Sequence, residues 1–327
     1  MRAAVCKNLS GVDGLAVEDF PAPAMIPGGV RISVRAAALN FADTLMLKGT
    51  YQVKLAPPFV PGLEAAGEVI EVAPGVSRVR PGDRVMAYLG HGAFAQETVA
   101  PEDCVYAIPD AMDFVTAAGF PVVYGTSYMG LADRARLRPG EMLVVNGAAG
   151  GVGLTAVEIG KKIGATVIAT AGGPDKLAVA QAHGADHLID YKTEDVRERI
   201  KAITNGRGAD VIYDPVGGQV FEAALRAIAP EGRIVVVGFA SGEVPPIPAN
   251  IVLVKNLSVL GLHWGAYRTL NPEAFRAQFD QLFRWWREGA LKPHTSHTFA
   301  LDECKAAFAA LLSRRSTGKV ALVMGPP

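Results

Sequence analysis

Residues 142–153 read Met142-Leu143-Val144-Val145-Asn146-Gly147-Ala148-Ala149-Gly150-Gly151-Val152-Gly153. An apolar run leads into a loop of glycines and alanines, and Leu154–Ile163 then carries a helical pattern. A glycine string gains meaning from that order of strand, turn and helix. Small residues let the backbone approach a pyrophosphate, while the helix N-terminus offers N–H groups at the positive end of its dipole. Gly153 permits close packing of helix on strand. A tight strand-to-helix turn with no ligand is the plainer alternative. The same alternation continues downstream. Apolar runs at Thr166–Thr170, His187–Asp190, Val211–Asp214, Arg233–Val237 and Ser258–Leu262 are separated by helical stretches around Lys176–His183, Glu194–Ile203 and Gln219–Ile228. Alternating strands and helices imply βαβ units and a parallel sheet covered on both faces, with the strand number of a doubly wound Rossmann domain.

The end of the second strand bears on which nucleotide would bind. A site that prefers NAD places a carboxylate there, about 20 residues after the glycine loop, for the ribose 2′-hydroxyl. Here the strand ends in Ala171-Gly172-Gly173. No carboxylate stands there to repel a 2′-phosphate, and Lys176 follows. Asp175 beside it reads as part of the next helix start. NADPH is the expected cofactor.

The flanking segments have a different rhythm. Up to about residue 120 the chain is rich in Pro, Gly and Val, with short alternating runs such as Val30–Val34 and Gly67–Val72 broken by Pro27-Gly28-Gly29, Pro74-Gly75 and Pro81-Gly82-Asp83. Short strands between such turns predict a compact antiparallel barrel or sandwich. After Leu262, Asn271 and Pro272 read as a helix start, Phe275, Phe279, Leu282, Phe283 and Trp286 as its apolar face, and Gly289 as its end. A second helix near Asp302–Leu312 and a strand at Val320–Met324 close the chain. The expected domains are 1–120, 121–264 and 265–327.

Composition narrows the function classes. The 327 residues carry 32 Lys plus Arg and 32 Asp plus Glu, for a formal net charge of zero. No broad basic field is available to hold a phosphate backbone, so nucleic acid is not the expected partner. The sequence offers no apolar stretch of membrane-span or signal-peptide length, which points to a cytoplasmic protein without a membrane. Three dispersed cysteines, Cys6, Cys104 and Cys304, suggest a reducing compartment and inert buried thiols.

Ala38-Leu39-Asn40-Phe41-Ala42-Asp43, Lys48-Gly49-Thr50-Tyr51, Pro61–Gly67, Pro81–Val85, Pro121–Thr126 and Gly147–Gly153 together resemble the medium-chain dehydrogenase/reductase superfamily, in its quinone oxidoreductase (zeta-crystallin-like) branch. The resemblance covers nearly the whole chain. It implies an α/β protein in which a GroES-like β-rich barrel domain, formed by the N-terminal part and the C-terminal tail, holds an inserted doubly wound Rossmann domain. Zinc-dependent relatives carry metal ligands where this chain has Asn40, Leu63 and about Ala118, none of them a good zinc ligand. The four-cysteine structural-zinc lobe is missing as well. A zinc-independent reductase of a small electrophile is therefore implied: a quinone or another conjugated carbonyl acceptor.

The resemblance also assigns residues. Tyr51 is expected over the nicotinamide, and Ala149, Gly150, Gly151 and Val152 at the pyrophosphate. Gly172, Lys176 and Tyr191 are expected around the 2′-phosphate. Gly238, Phe239, Ala240, Leu262, His263 and Trp264 are expected at the nicotinamide end, where the strand-end rule for doubly wound sheets also puts a ligand. Tyr51 is either a donor to the developing oxyanion or a proton relay, or else a residue that packs on the cofactor; Asn40 either donates an amide N–H to the substrate or holds the nicotinamide, or else makes a turn or loop hydrogen bond. His294 and His297 are expected to be solvated in a loop. Relatives pair the edges of their Rossmann sheets, which implies a homodimer through the strand near Leu257–Gly261. Two other functions share these features: a 2-enoyl thioester or enal reductase, and a non-catalytic NADPH-binding protein.

Overall fold

The computed structural model describes residues 1–325. In chain order its strands are β1 (Arg2–Cys6), β2 (Leu15–Asp19), β3 (Gly29–Ala38), β4 (Glu64–Val72), β5 (Arg84–Tyr88), β6 (Glu97–Pro101), β7 (Val105–Ala107), β8 (Met142–Val145), β9 (Thr166–Ala171), β10 (His187–Asp190), β11 (Ala209–Asp214), β12 (Ile228–Val236), β13 (Ser258–Gly261), β14 (Thr295–Ala300) and β15 (Lys319–Val323). The α-helices are α1 (Phe41–Leu47), α2 (Phe114–Ala118), α3 (Pro121–Tyr128), α4 (Gly151–Ile163), α5 (Pro174–Ala182), α6 (Val196–Ile203), α7 (Gly218–Arg226), α8 (Ala249–Lys255), α9 (Tyr267–Leu270), α10 (Pro272–Arg287) and α11 (Cys304–Leu312).

The chain divides into two compact units. The first comprises residues 1–122, 268–276 and 293–327; the second comprises 123–267 and 277–292. The expected return of the whole stretch 265–327 to the first domain thus differs at 265–267 and at 277–292, which group with the Rossmann unit. The reason is visible in α10. Phe279 lies edge-on to Trp264, and Gln278 accepts a hydrogen bond from the Trp264 indole at 3.3 Å.

In the first unit, β3 is the hub. It pairs antiparallel with β4, β6 and β15, within a sheet ordered β14-β15-β3-β4-β5-β7. The C-terminal strand β15 therefore lies beside a strand formed some 280 residues earlier, with Ala321 opposite Ala38. One face of this sheet is closed by a core that includes Val34, Phe94, Phe308 and Leu322. The antiparallel pairing is that of the compact β domain the short strands and turns predicted, and of the GroES-like domain the resemblance implied. His294 and His297 differ from expectation. His297 lies within β14, half-buried and stacked on Phe299, and the His294 ring bonds the Thr317 hydroxyl at 2.9 Å. The run from Thr295 pairs with β15 instead of remaining loop, because β15 supplies a parallel partner that no local pattern announces.

In the second unit, six parallel strands run in the order β10-β9-β8-β11-β12-β13. This is the doubly wound 3-2-1-4-5-6 arrangement, whose order reverses between β8 and β11. Fully buried Val144, Ile168 and Ile234 alternate along the central strands against Phe221 and Leu225 of α7. Glu158 of α4, 3 % exposed, is satisfied by the Tyr124 hydroxyl (2.6 Å), the His183 ring (2.6 Å) and the Lys292 N–H (3.0 Å). Strand β13 forms an edge of the sheet, and Leu253 and Val254 of the preceding α8 are 76 % and 78 % exposed. Among the described residues no helix is long and apolar enough to cross a membrane.

Candidate active site and nucleotide crevice

The loops expected to hold a nucleotide follow β8, β9, β10, β11 and β12. After β8 the chain turns at Gly147, whose φ of 61° is the left-handed region. The Gly150 N–H then closes back on the Gly147 carbonyl at 3.0 Å. Helix α4 starts at Gly151, and its first helical bond runs from Leu154 to the Gly150 carbonyl at 2.8 Å. The N–H groups of Gly151, Val152 and Gly153 precede that bond and have no carbonyl one turn back within the helix. Gly150 is exposed, and Gly151 and Val152 are half-buried, so this end of the helix is open. Gly153 has a stricter role. A Cβ there would lie 2.2 Å from the Gly147 carbonyl oxygen, so any side chain would displace the loop. The contact is with the loop backbone, a more specific reason than helix-on-strand packing.

Three side chains missed by the sequence reading stiffen the same rim. Thr170 of β9 donates to the Asn146 amide oxygen at 3.1 Å, Asn146 donates to Asp214 at 2.8 Å, and Asp214 accepts the Gly217 N–H at 2.8 Å. All three lie at strand carboxyl ends and are completely buried. Burial pushes the Asp214 carboxyl above its ordinary value, while bonds from Asn146 and Gly217 pull it back. Asn146 borders the glycine loop in sequence, but its partner is 68 residues away and visible only once β8 and β11 pair.

At the end of β9, Gly172 is half-buried and faces Tyr191: a Cβ there would meet the Tyr191 hydroxyl at 2.7 Å. Lys176 lies in the first turn of α5, which begins after Gly173 in a left-handed conformation (φ 101°). The expected trio Gly172, Lys176 and Tyr191 thus falls on three adjoining pieces of one rim, with Gly238, Phe239 and Ala240 half-buried after β12. The residues after β13 are different. The Leu262 and Trp264 side chains are 7 % and 4 % exposed and packed within the unit, whereas His263 is exposed.

In the first unit, Asn40, Asp43, Glu64 and Lys319 form a buried cluster. Asn40 precedes α1, and the Asp43 carboxylate accepts its N–H at 2.7 Å, half of a capping box. Asn40 Nδ2 donates to Glu64 Oε1 at 2.9 Å, with a longer 3.4 Å bond to the Ala38 carbonyl. The Lys319 ammonium donates to the Leu39 carbonyl (2.7 Å), Asn40 Oδ1 (2.8 Å) and Glu64 Oε1 (2.8 Å). Glu64 Oε2 accepts the Val122 N–H at 2.7 Å. Both ends of the Asn40 amide are therefore engaged within the protein. Asp43 is completely buried and its Oδ1 has no hydrogen-bond partner. Burial raises its carboxyl to about 7, against the pull of the Asn40 N–H and Lys319.

Tyr51 follows α1 and is half-buried. Burial and, to a lesser degree, the Asp43 charge push its phenol above the ordinary tyrosine value. Tyr88, at the end of β5, is raised further by burial and by the Tyr51 charge, so the two hydroxyls share one neighbourhood. Leu63 is 3 % exposed and Ala118 fully buried. The motifs containing Asn40, Asp43 and Glu64 were legible from the sequence, but nothing local marks Lys319 as their partner.

Residues 26–110 match the alcohol dehydrogenase GroES-like domain family, and residues 151–284 the zinc-binding dehydrogenase family. Quinone oxidoreductase-like protein 2 homolog of Nematostella vectensis is 42 % identical over 324 residues, covering 98 % of this chain and 88 % of the relative. The chain belongs to the quinone oxidoreductase branch of the medium-chain dehydrogenase/reductase superfamily. Quinone oxidoreductase of Pseudomonas aeruginosa is 36 % identical over 315 residues, covering 96 % of each chain. The solved Escherichia coli quinone oxidoreductase, in complex with NADPH, superposes with a TM-score of 0.92 at 29 % identity, over 99 % of this chain and 100 % of that one.

Proposed function

We propose that this member of the branch is a zinc-independent, NADPH-dependent oxidoreductase that transfers hydride to a small quinone or a similar conjugated carbonyl acceptor. The observation that carries the reading is the glycine-lined rim at the carboxyl ends of β8 and β9. Only glycine fits at residue 153, and residue 172 has no carboxylate to oppose a 2′-phosphate. Ala149, Gly150, Gly151 and Val152 would hold the pyrophosphate, and Gly172, Lys176 and Tyr191 the 2′-phosphate. Gly238, Phe239, Ala240 and His263 would line the nicotinamide end, with Leu262 and Trp264 supporting them from within.

The residues that stand where zinc-dependent relatives carry metal ligands do not fit a zinc ion. Leu63 and Ala118 offer no donor atom, and the Asn40 amide oxygen already accepts from the Lys319 ammonium at 2.8 Å. That buried positive charge beside Asn40 disfavours a second cation.

Bound NADPH supplies the hydride. The protein's own part is positioning and charge stabilisation. A tyrosine phenol is protonated at neutral pH, and burial pushes that of Tyr51 further the same way, so it is a hydrogen-bond donor suited to an acceptor oxygen that gains negative charge. The Asn40 amide is fixed between Lys319 and Glu64 and so is engaged within its own unit. The three cysteines are buried and unpaired, which suits a reducing cytoplasm. The open β13 edge beside exposed Leu253 and Val254 suits pairing with a second copy as a homodimer. A monomer by light scattering would remove that assignment.

The test is NADPH oxidation by the purified protein, followed by absorbance, with 1,4-benzoquinone and crotonyl-CoA in parallel. Turnover of the quinone supports the proposal. Preference for the thioester moves the assignment to carbon–carbon double-bond reduction. Tight binding without turnover of either points to a non-catalytic NADPH-binding protein.

A further inference from the structure

The turn after β10 carries a cation that the site described above does not use. Lys192 is exposed, and its ammonium enters none of the ion pairs formed among the described residues. Its backbone N–H donates to Asp190 Oδ1 at 3.0 Å, and the same oxygen accepts the Gly173 N–H at 3.1 Å. One carboxylate oxygen thus ties the loop after β10 to the loop after β9. With the backbone held this way, the Lys192 stem folds over Gly172: a Cβ on Gly172 would lie 2.9 Å from Lys192 Cε, beside the Tyr191 hydroxyl at 2.7 Å. Two neighbouring side chains, one phenolic and one cationic, converge on Gly172, whose missing side chain lets them close over the end of β9.

The carboxylates of the turn are engaged elsewhere. Asp190 is held by backbone N–H groups. Glu194 accepts the Asp190 N–H at 2.8 Å and pairs with Arg199 at 2.7 Å. Asp175, in the first turn of α5, is exposed to solvent. A phosphate monoester carries between one and two negative charges near neutral pH, more than a single lysine neutralises. We propose that Lys192 is a second cation for the 2′-phosphate, acting with Lys176, and that the two together set the preference for NADPH over NADH. The inference rests on the NADPH reading above.

Binding tests it without turnover. All three tryptophans, Trp264, Trp285 and Trp286, belong to the Rossmann unit. Quenching of their fluorescence follows titration of the purified protein with NADPH and with NADH. The proteins compared are the wild type, Lys192→Ala, Lys192→Arg and Lys176→Ala. Lys192→Ala is expected to weaken NADPH binding about tenfold, or ~1.4 kcal/mol, to leave NADH within about twofold, and to reduce the salt dependence of NADPH binding. Lys192→Arg is expected to retain the preference. Equal weakening for both nucleotides, or an unchanged NADPH affinity, overturns the role of Lys192. A wild-type protein that binds NADPH no better than NADH overturns the underlying cofactor reading, and does so before any variant is made.

Discussion

Replacing Lys319 by Met tests the buried cluster most directly. The ammonium makes three short bonds, to Leu39 O, Asn40 Oδ1 and Glu64 Oε1, from a side chain that is 7 % exposed, and its partner Glu64 is fully buried. Methionine has a similar reach but no charge. The variant leaves a buried carboxylate with only the Asn40 amide and the Val122 N–H as donors, and strips one donor each from two acceptors. Removing one member of a buried pair typically costs about 3–5 kcal/mol, and each stranded acceptor adds about 1 kcal/mol or more. A loss of at least ~4 kcal/mol is expected, or roughly 10 °C in melting temperature for a unit of this size. Because the tryptophans all lie in the other unit, fluorescence is the wrong reporter. Hydrogen exchange of peptides covering 64–72 and 319–323, measured across a urea series, reads the right transition. The double variant Lys319→Met/Glu64→Gln removes both charges and is expected to recover about 2 kcal/mol relative to the single variant. A loss under ~1 kcal/mol in Lys319→Met, or a double variant as unstable as the sum of the two singles, would refute the pairing argument.

Asp43 predicts a pH dependence. Its carboxyl rises from 3.8 to about 7 on folding, so the folded state holds a proton that the unfolded chain releases between those values. Stability is therefore expected to fall as pH rises from about 4 to about 7, by up to ~4 kcal/mol; Asp43→Asn should flatten that slope in urea titrations, and equal slopes would exclude Asp43 as the group responsible. Gly153→Ala is expected to weaken NADPH by at least about tenfold, because its methyl meets the Gly147 carbonyl at 2.2 Å and the loop must move; unchanged affinity by fluorescence titration would show that the loop does not hold the pyrophosphate. Tyr51→Phe should lower kcat about 10- to 100-fold with NADPH affinity retained if the hydroxyl donates to the acceptor; full turnover would assign Tyr51 to packing alone.

Much of the architecture was legible from residue order because its signals are local. The glycine loop, the alternation after residue 141 and the Asn271-Pro272 helix start are each written within a few residues, and the Asn271 side chain does cap that helix, accepting the Ala274 N–H at 3.1 Å. Burial of the five apolar residues expected on α10 follows from its 3.6-residue period for four of them, with Trp286 only partly covered. Other features depend on groups distant in the chain. Lys319 meets Glu64 across 255 residues, and Asn146 meets Asp214 across 68; a lysine near the C-terminus has no local mark that separates it from a surface charge. His297 belongs to a strand only because β15 pairs with it, and Lys192 lies over Gly172 where Asp190 ties two loops together. Residue order alone was enough for the kinds of element, their succession and the glycine turn after β8. Which charges are buried together, and which lysine lies over Gly172, emerged only from the folded chain, since burial and pairing are properties of neighbours in space.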